Sequence, residues 1–378
     1  MSDKLAVAFV PGLEGVIAAR TRLSSVDGAA GRLVIAGFPV EELANRASFE
    51  ETLYLLWNDA LPNGEQLAAL RRDLAARRAL PKVTADVLAA AAAKRVLPMD
   101  ALRMASGALA PEDGEHPDDA LRLVAALPTI VAAYWHLSQG RKPVEPDPEL
   151  AHTANYLYML YGEVPSSEQC RALETYLNTV VDHGMNASTF VARVIISTRS
   201  DIVSAVVGAI GALKGPLHGG APGPALDVVF EIGEAEWAAP VLRGKLESGE
   251  RLMGFGHRVY KVRDPRADVL GAAAERLYAT DADRALYELA REVEETALSL
   301  LEEYKPGRNL QTNVEFYTAL LLHGLGLPTE LFTPTFAVGR AGGWTAHCFE
   351  QQALDRLIRP QSEYIGRKNR SWAPLEER

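Results

Sequence analysis

The sequence predicts an all-α protein on three observations: period-2 strand patterning is scarce, alanine and leucine dominate, and helix-start signals recur along the chain. At least ~12 helices are expected. One hairpin is expected near the start, where Asp27-Gly28 turns the chain ahead of Leu33-Val34-Ile35. Ser48 with Glu51 has capping-box spacing before Leu53, Tyr54, Leu56 and Trp57, and Asn63 with Gln66 repeats that spacing beyond Pro62. Residues 111–118 (PEDGEHPD) and 139–148 (QGRKPVEPDP) read as surface loops. Ser166 and Gln169 open a further helix with Leu173, Tyr176, Leu177, Val180 and Val181 on one face. That helix should end near Gly184, leaving His183 at its C-terminal end. Residues 216–224 (PLHGGAPGP) are rich in glycine and proline and mark a change of lobe before helical patterning resumes at Ala225, Leu226, Val228 and Val229.

Composition narrows the class. A chain of 378 residues can bury a sizeable core and hold two lobes, and 48% apolar with 23% charged residues is ordinary for a soluble protein. The formal charge of -10 argues against a nucleic-acid binder but leaves room for a locally basic anion site. Cys170 and Cys348 cannot make a disulfide framework, which fits a reducing compartment. The first residues lack signal- or transit-peptide character, and no segment is expected to span a membrane, so a cytoplasmic protein is expected. None of the eight histidines has zinc-like spacing, so no metal site is expected. Dinucleotide, P-loop and nucleophile-elbow motifs are missing.

Residues 254–266 (GFGHRVYKVRDPR) set His257 among Arg258, Lys261, Arg263 and Arg266. This is either a solvated basic turn or a site for an anionic ligand, and in the second case Arg263 has no role and lies in water. Three histidines adjoin glycine (His183, His218 and His257), where a ligand or backbone can approach closely. His136, His152, His323 and His347 lack that context and read as packing or surface, and His116 as solvated. His218 precedes Pro222 and an apolar helix. It is therefore expected at a helix N-terminus, where the dipole lowers its pKa and leaves a neutral ring able to donate to an enolate. Glu315 stands among apolar and aromatic neighbours (NVEFY), where burial would raise its pKa and strengthen it as a base; otherwise it is a helix-start glutamate. Arg340 and Arg359 lie in apolar, helical surroundings and call for an anionic partner, structural or ligand.

Taken together, GLEGVIAARTRLSSVDG, SFEETLYLLW, DHGMNASTF, LKGPLHGGA, GFGHRVYKVRDPR, TNVEFYTALLL, LFTPTFAVGRAGGW and LIRPQSEYIG resemble the citrate synthase family over almost the whole chain. The resemblance implies a two-domain helical fold with the active site in the interdomain cleft. The large domain would hold residues 1–214 and 321–378, and the inserted small domain 215–320. It implies a homodimer in which Arg359 enters the partner subunit's site. His183, His257, Arg266 and Arg340, with that Arg359, fall on oxaloacetate-binding positions. His218, His257 and Glu315 fall on the three catalytic positions, with Glu315 as base, His218 on the enol oxygen and His257 on the ketone. Leu252, Met253, Gly254, Phe255, Gly256, Arg258, Lys261 and Asn313 fall on the coenzyme A region. Acetyl-CoA would be a co-substrate, with no permanently bound cofactor, no metal, no nucleic acid and no membrane.

Two positions depart from the family pattern. Most members carry aspartate where this chain has Glu315, and asparagine where it has Pro222. A minority branch shares the glutamate and the GGAP sequence, so the two changes read as coordinated. The implied activity is citrate synthesis. The alternatives are 2-methylcitrate synthesis from propionyl-CoA, and a low-turnover paralogue that binds citrate or CoA for regulation.

Overall fold

The computed structural model describes residues 9–109, 116–219, 222–279 and 281–378; for 116, 117, 222 and 281–283 it describes the backbone alone. Residues 1–8, most of the 111–118 loop, and Gly220 and Ala221 of the GGAP sequence lie outside it. The chain opens with a three-stranded antiparallel sheet of order β1-β2-β3: Ser24–Asp27, Arg32–Ile35 and Phe38–Pro39. Asp27 pairs with Arg32, and its Oδ1 accepts the N–H groups of Ala29 and Ala30, so the expected turn forms at Gly28.

Sixteen α-helices follow among the described residues. The first seven are α1 (Val40–Arg46), α2 (Phe49–Asn58), α3 (Gly64–Ala76), α4 (Lys82–Ala93), α5 (Pro98–Gly107), α6 (His116–Ser138) and α7 (His152–Tyr161). Next come α8 (Ser167–Val180), α9 (Ala187–Ile196), α10 (Ile202–Leu213), α11 (Pro222–Ile232) and α12 (Ala238–Glu247). The last are α13 (Pro265–Leu277), α14 (Asp281–Tyr304), α15 (Val314–Gly324) and α16 (Phe332–Leu354). All three expected capping boxes form: each N-cap side chain accepts the N3 amide and each N3 side chain accepts the N-cap amide, at Ser48/Glu51, Asn63/Gln66 and Ser166/Gln169. Residues 139–148 form a loop, but α6 begins at His116, inside the segment expected to be loop to 118.

One expectation is corrected here: α6 is long and apolar enough over Asp118–Ser138 to cross a membrane by length and composition. In this fold 78% of that window is buried, so its apolarity serves the core. Helix α16 lies deepest, buried from Phe332 almost continuously to Cys348, and packs on α6, α8, α9 and α10. Its GRAGG run lets it cross the C-terminal end of α8 closely. A Cβ at Gly343 would lie 2.1 Å from the Val181 carbonyl oxygen, and one at Gly339 2.9 Å from Val180. Beyond residue 214, α13 packs between α15 on one side and α8 and α1 on the other, and so ties the later helices to the earlier ones.

Candidate active site

The close crossing of α16 over α8 decides the chemistry of Arg340. Its Nε donates to the Val180 carbonyl, its guanidinium lies 4.7 Å over the Phe336 ring, and it is 1% exposed. No carboxylate pairs with it among the described residues, and burial pushes its pKa down to about 10. The nearby Asp182 carboxylate, itself bound to His347, only partly offsets that burial, so the guanidinium can receive a further anion. Arg266, at the start of α13, is equally buried but sits side-on against Asp264, with Nε to Oδ1 at 3.0 Å and Nη2 to Oδ2 at 2.8 Å. Only its Nη1 edge remains for a ligand. Asp264 also caps α13 through the Arg266 amide and reaches the Val314 amide that opens α15, which fixes the two helix starts together.

The histidines converge on these cations. Helix α8 ends at Val180, so His183 stands in the turn just beyond it. That turn is anchored by a buried chain: Asp182 to His347 at 3.1 Å, His347 to Arg193 at 3.0 Å, and Arg193 to Glu350 at 2.8 Å. His347 is thus a packing residue as expected. Asn186 caps α9 one turn later. The His183 and His257 rings meet edge to face at 5.9 Å, and His183 Nε2 lies 3.0 Å from the Tyr260 hydroxyl. Burial first, then Arg266 and Arg340, holds the His183 pKa well below its ordinary value.

Backbone donors fix the tautomers of the other two rings. His257 Nδ1 accepts the amides of Val259 and Tyr260 at 3.0 and 3.1 Å, so its proton sits on Nε2. His218 Nε2 lies 2.8 Å from Ser188 Oγ and accepts the Ser188 amide at 3.4 Å, so its proton sits on Nδ1. Both pKa values are pushed down to about 4, by burial first and next by Arg266 for His257 and Arg340 for His218. The helix-dipole explanation for His218 is corrected: α11 begins four residues later, at Pro222, outside the reach of a first-turn dipole. His218 stands instead at the start of α9, where its Nε2 accepts the first-turn amide of Ser188, and burial beside Arg340 adds to the pressure for a neutral ring.

Glu315 is the second residue of α15, capped by Asn313, and burial pushes its carboxyl up to about 7; Arg266 opposes the rise and Asp264 adds to it. The buried Tyr176, on the same face of α8 as Val180, feels Glu315, Arg340 and Arg266 together. Glu315 follows Val314, whose amide bonds the Asp264 carboxylate that holds Arg266, so it stands beside that arginine.

Leu252–Gly256 hangs on the strand-like residues before α15. Gly256 N–H donates to Gln311 O at 2.7 Å, Asn313 N–H to Gly254 O at 2.9 Å, and Asn313 Nδ2 to Gly256 O at 2.7 Å. Asn313 thus spends both ends of its amide within the protein. Leu252 is buried, Met253 half-buried, and Phe255 packs on Phe316. Arg258 and Lys261 are exposed, Arg258 facing Glu14 at 3.6 Å.

Two expectations fail by position. Arg263 is not solvated: it pairs with Asp268 and with the buried Glu294, bracing α13 on α14. Arg359 is not helical, because α16 stops at Leu354 where Asp355 turns left-handed (φ 46°), and its side chain is exposed. Three further residues of the site, Ser188, Tyr260 and Trp344, whose Nε1 donates to Ser188 Oγ, carry no functional signal of their own in the sequence. Tyr260 lay inside the quoted motif, but nothing in sequence placed Ser188 or Trp344 beside His218. A cavity of about 510 Å³ between α8 and α13, lined by Cys170, Arg171, Glu174 and Arg276, shares no lining residue with this cleft. No cluster able to hold a metal occurs among the described residues.

Fold and cleft define a mostly helical protein built around a buried, anion-receptive site with neutral imidazoles and a proton-accepting carboxyl. Comparison with known proteins narrows that class. Residues 12–361 match the family model described as citrate synthase, C-terminal domain. A citrate synthase of Haloferax volcanii is 43% identical, covering 97% of this chain and 98% of its own. A 2-methylcitrate synthase of Shewanella oneidensis is 38% identical, covering 97% of each. The citrate synthase of Thermoplasma acidophilum, solved in ternary complex with carboxymethyl coenzyme A and oxaloacetate, superposes with a TM-score of 0.88 at 28% identity, covering 98% of this chain and all of its own. The chain belongs to the citrate synthase family.

Proposed function

We propose that this protein condenses acetyl-CoA with oxaloacetate and hydrolyses the resulting citryl thioester to citrate and CoA. The observation that carries the reading is the unpaired buried guanidinium of Arg340 amid neutral histidines and a carboxyl raised to about 7. Arg340 and the free edge of Arg266 hold the oxaloacetate carboxylates, with His183 beside them. Glu315 takes a proton from the thioester methyl, and the Nδ1–H of His218 donates to the developing enol oxygen. The new carbon–carbon bond forms at the ketone carbon, and the Nε2–H of His257 stabilises the oxygen that gains the charge. Water then cleaves the thioester, releasing CoA. Leu252–Gly256, Arg258, Lys261 and the Asn313 region receive coenzyme A. In this reading residues 215–320 form a small domain that closes over residues 1–214 and 321–378 and excludes water. The exposed Arg359 serves the partner's site in a homodimer in the cytoplasm.

The Shewanella relative supports a second reading, 2-methylcitrate synthesis, because one methylene changes discrimination by only ~1–3 kcal/mol. CoA release from oxaloacetate with acetyl-CoA, then with propionyl-CoA, separates the two. A higher kcat/KM for propionyl-CoA replaces the first reading with the second. No release from either thioester overturns both and leaves a regulatory binding protein.

A further inference from the structure

The β1–β2 turn lies against the loop that carries His257. The Gly28 carbonyl accepts the Lys261 N–H at 2.9 Å. A Cβ at Gly28 would lie 2.2 Å from the Val259 carbonyl oxygen and 2.8 Å from its carbon. That obstacle is backbone, so no side-chain rotation relieves it, and the loop would have to retreat by ~1 Å to reach ordinary contact. Three residues on, a Cβ at Gly31 would lie 2.8 Å from Val262 Cγ2 and 3.2 Å from the Arg263 carbonyl oxygen. Gly28 has no left-handed φ, so alanine suits its backbone and only the adjacent loop forbids it.

The same hairpin also holds the other histidine of the pair. Ser24 Oγ accepts the amide of Gly184, the residue after His183, at 2.8 Å. Pairing with β2 and the Asp27 side chain, which caps the turn, stiffen the strand between these two contacts. One short rigid element therefore touches the backbone beside His183 and the backbone beside His257.

We propose that the Asp27–Gly31 turn is the seat on which the His257 loop docks, and that Gly28 is a positioning residue setting the distance between the two histidines. This rests on the proposed reading in placing His183 and His257 on different domains that close on the ligand. A retreat of ~1 Å by a catalytic group costs on the order of 10²-fold in rate.

The test compares Gly28→Ala with Gly64→Ala, a control with nothing within 4 Å of its added methyl. For Gly28→Ala, kcat with oxaloacetate and acetyl-CoA should fall on the order of 10²-fold. Amide exchange over residues 257–263 should quicken at least ~10-fold, while any fall in the ligand-free denaturation midpoint leaves the protein fully folded under the assay conditions. Gly64→Ala should match wild type in kcat and in exchange over 257–263, with a midpoint no lower than wild type. Unchanged exchange and kcat would overturn the proposal. So would a ligand-free stability loss large enough to account for the lost activity, because the turn would then be ordinary packing. If Gly28→Ala does not fold, Asp27→Ala decides: it removes the turn's cap without adding bulk, and unchanged exchange over 257–263 would again overturn the proposal. The exchange measurement needs no turnover, so it decides even if wild type releases no CoA and the proposed reaction is wrong.

Discussion

Replacing Glu315 with glutamine should stabilise this protein at pH 8 relative to pH 5 while abolishing proton abstraction. Burial raises the carboxyl from 4.5 to about 7, so between those values the folded chain holds a proton that the unfolded chain has released. The unfolding free energy therefore falls as pH rises through that window. At ~1.4 kcal/mol per pH unit the full rise corresponds to ~3 kcal/mol, and the partial solvent access of Glu315 brings the expectation to ~1–3 kcal/mol. Glutamine cannot ionise, and the cost of burying its amide is the same at both pH values. The difference between variant and wild type should thus grow by ~1–3 kcal/mol from pH 5 to pH 8. Urea unfolding at the two pH values measures it. A difference independent of pH would refute the claim that burial, rather than a helix-start dipole, governs this group.

The same ionisation should shape the rate: kcat/KM should rise with pH to a plateau above ~8. No second limb should come from His218 or His257, which are neutral at that pH with values of about 4; a histidine limb near 6.5 would contradict the burial of those rings. Arg340→Met should leave the folded state intact, because the buried guanidinium it removes has no carboxylate in direct contact. It should also erase the stabilisation that oxaloacetate confers on wild type; a retained thermal shift would place the anion elsewhere. Gly343→Ala, which drives a methyl onto the Val181 carbonyl, should destabilise by ~1–3 kcal/mol and weaken oxaloacetate binding through Arg340, checked by urea unfolding and calorimetry. Mixing inactive Arg359→Ala with inactive His257→Ala subunits should restore part of the activity through hybrid dimers, and no recovery would count against a shared site.

Local chemistry made much of the fold legible in the sequence. Ser48, Asn63 and Ser166 cap where their spacing says they should, because a capping box closes within four residues and needs no distant partner. The Asp27-Gly28 turn is set in the same way. Motif likeness supplied the family, which the matched model and the Haloferax relative bear out. The rise of the Glu315 pKa was legible too, since its apolar neighbours are adjacent in the chain.

Long-range packing settled the rest. Pro222 points to α11 as the helix start beside His218, but the fold sets the ring on the start of α9, through the Ser188 amide, and buries it near Arg340 from α16. Arg263 looked solvated because Glu294, which pairs with it, is one helix further on. The ring tautomers follow from Ser188, Val259 and Tyr260 amides whose direction only the folded backbone fixes. Sequence alone determined the helix starts and the histidines, arginines and Glu315 that motif likeness marks out, because identity and local capping are written residue by residue. Tertiary structure decided which of them are charged, which way their protons point and which are already paired, because those properties depend on neighbours supplied by other helices.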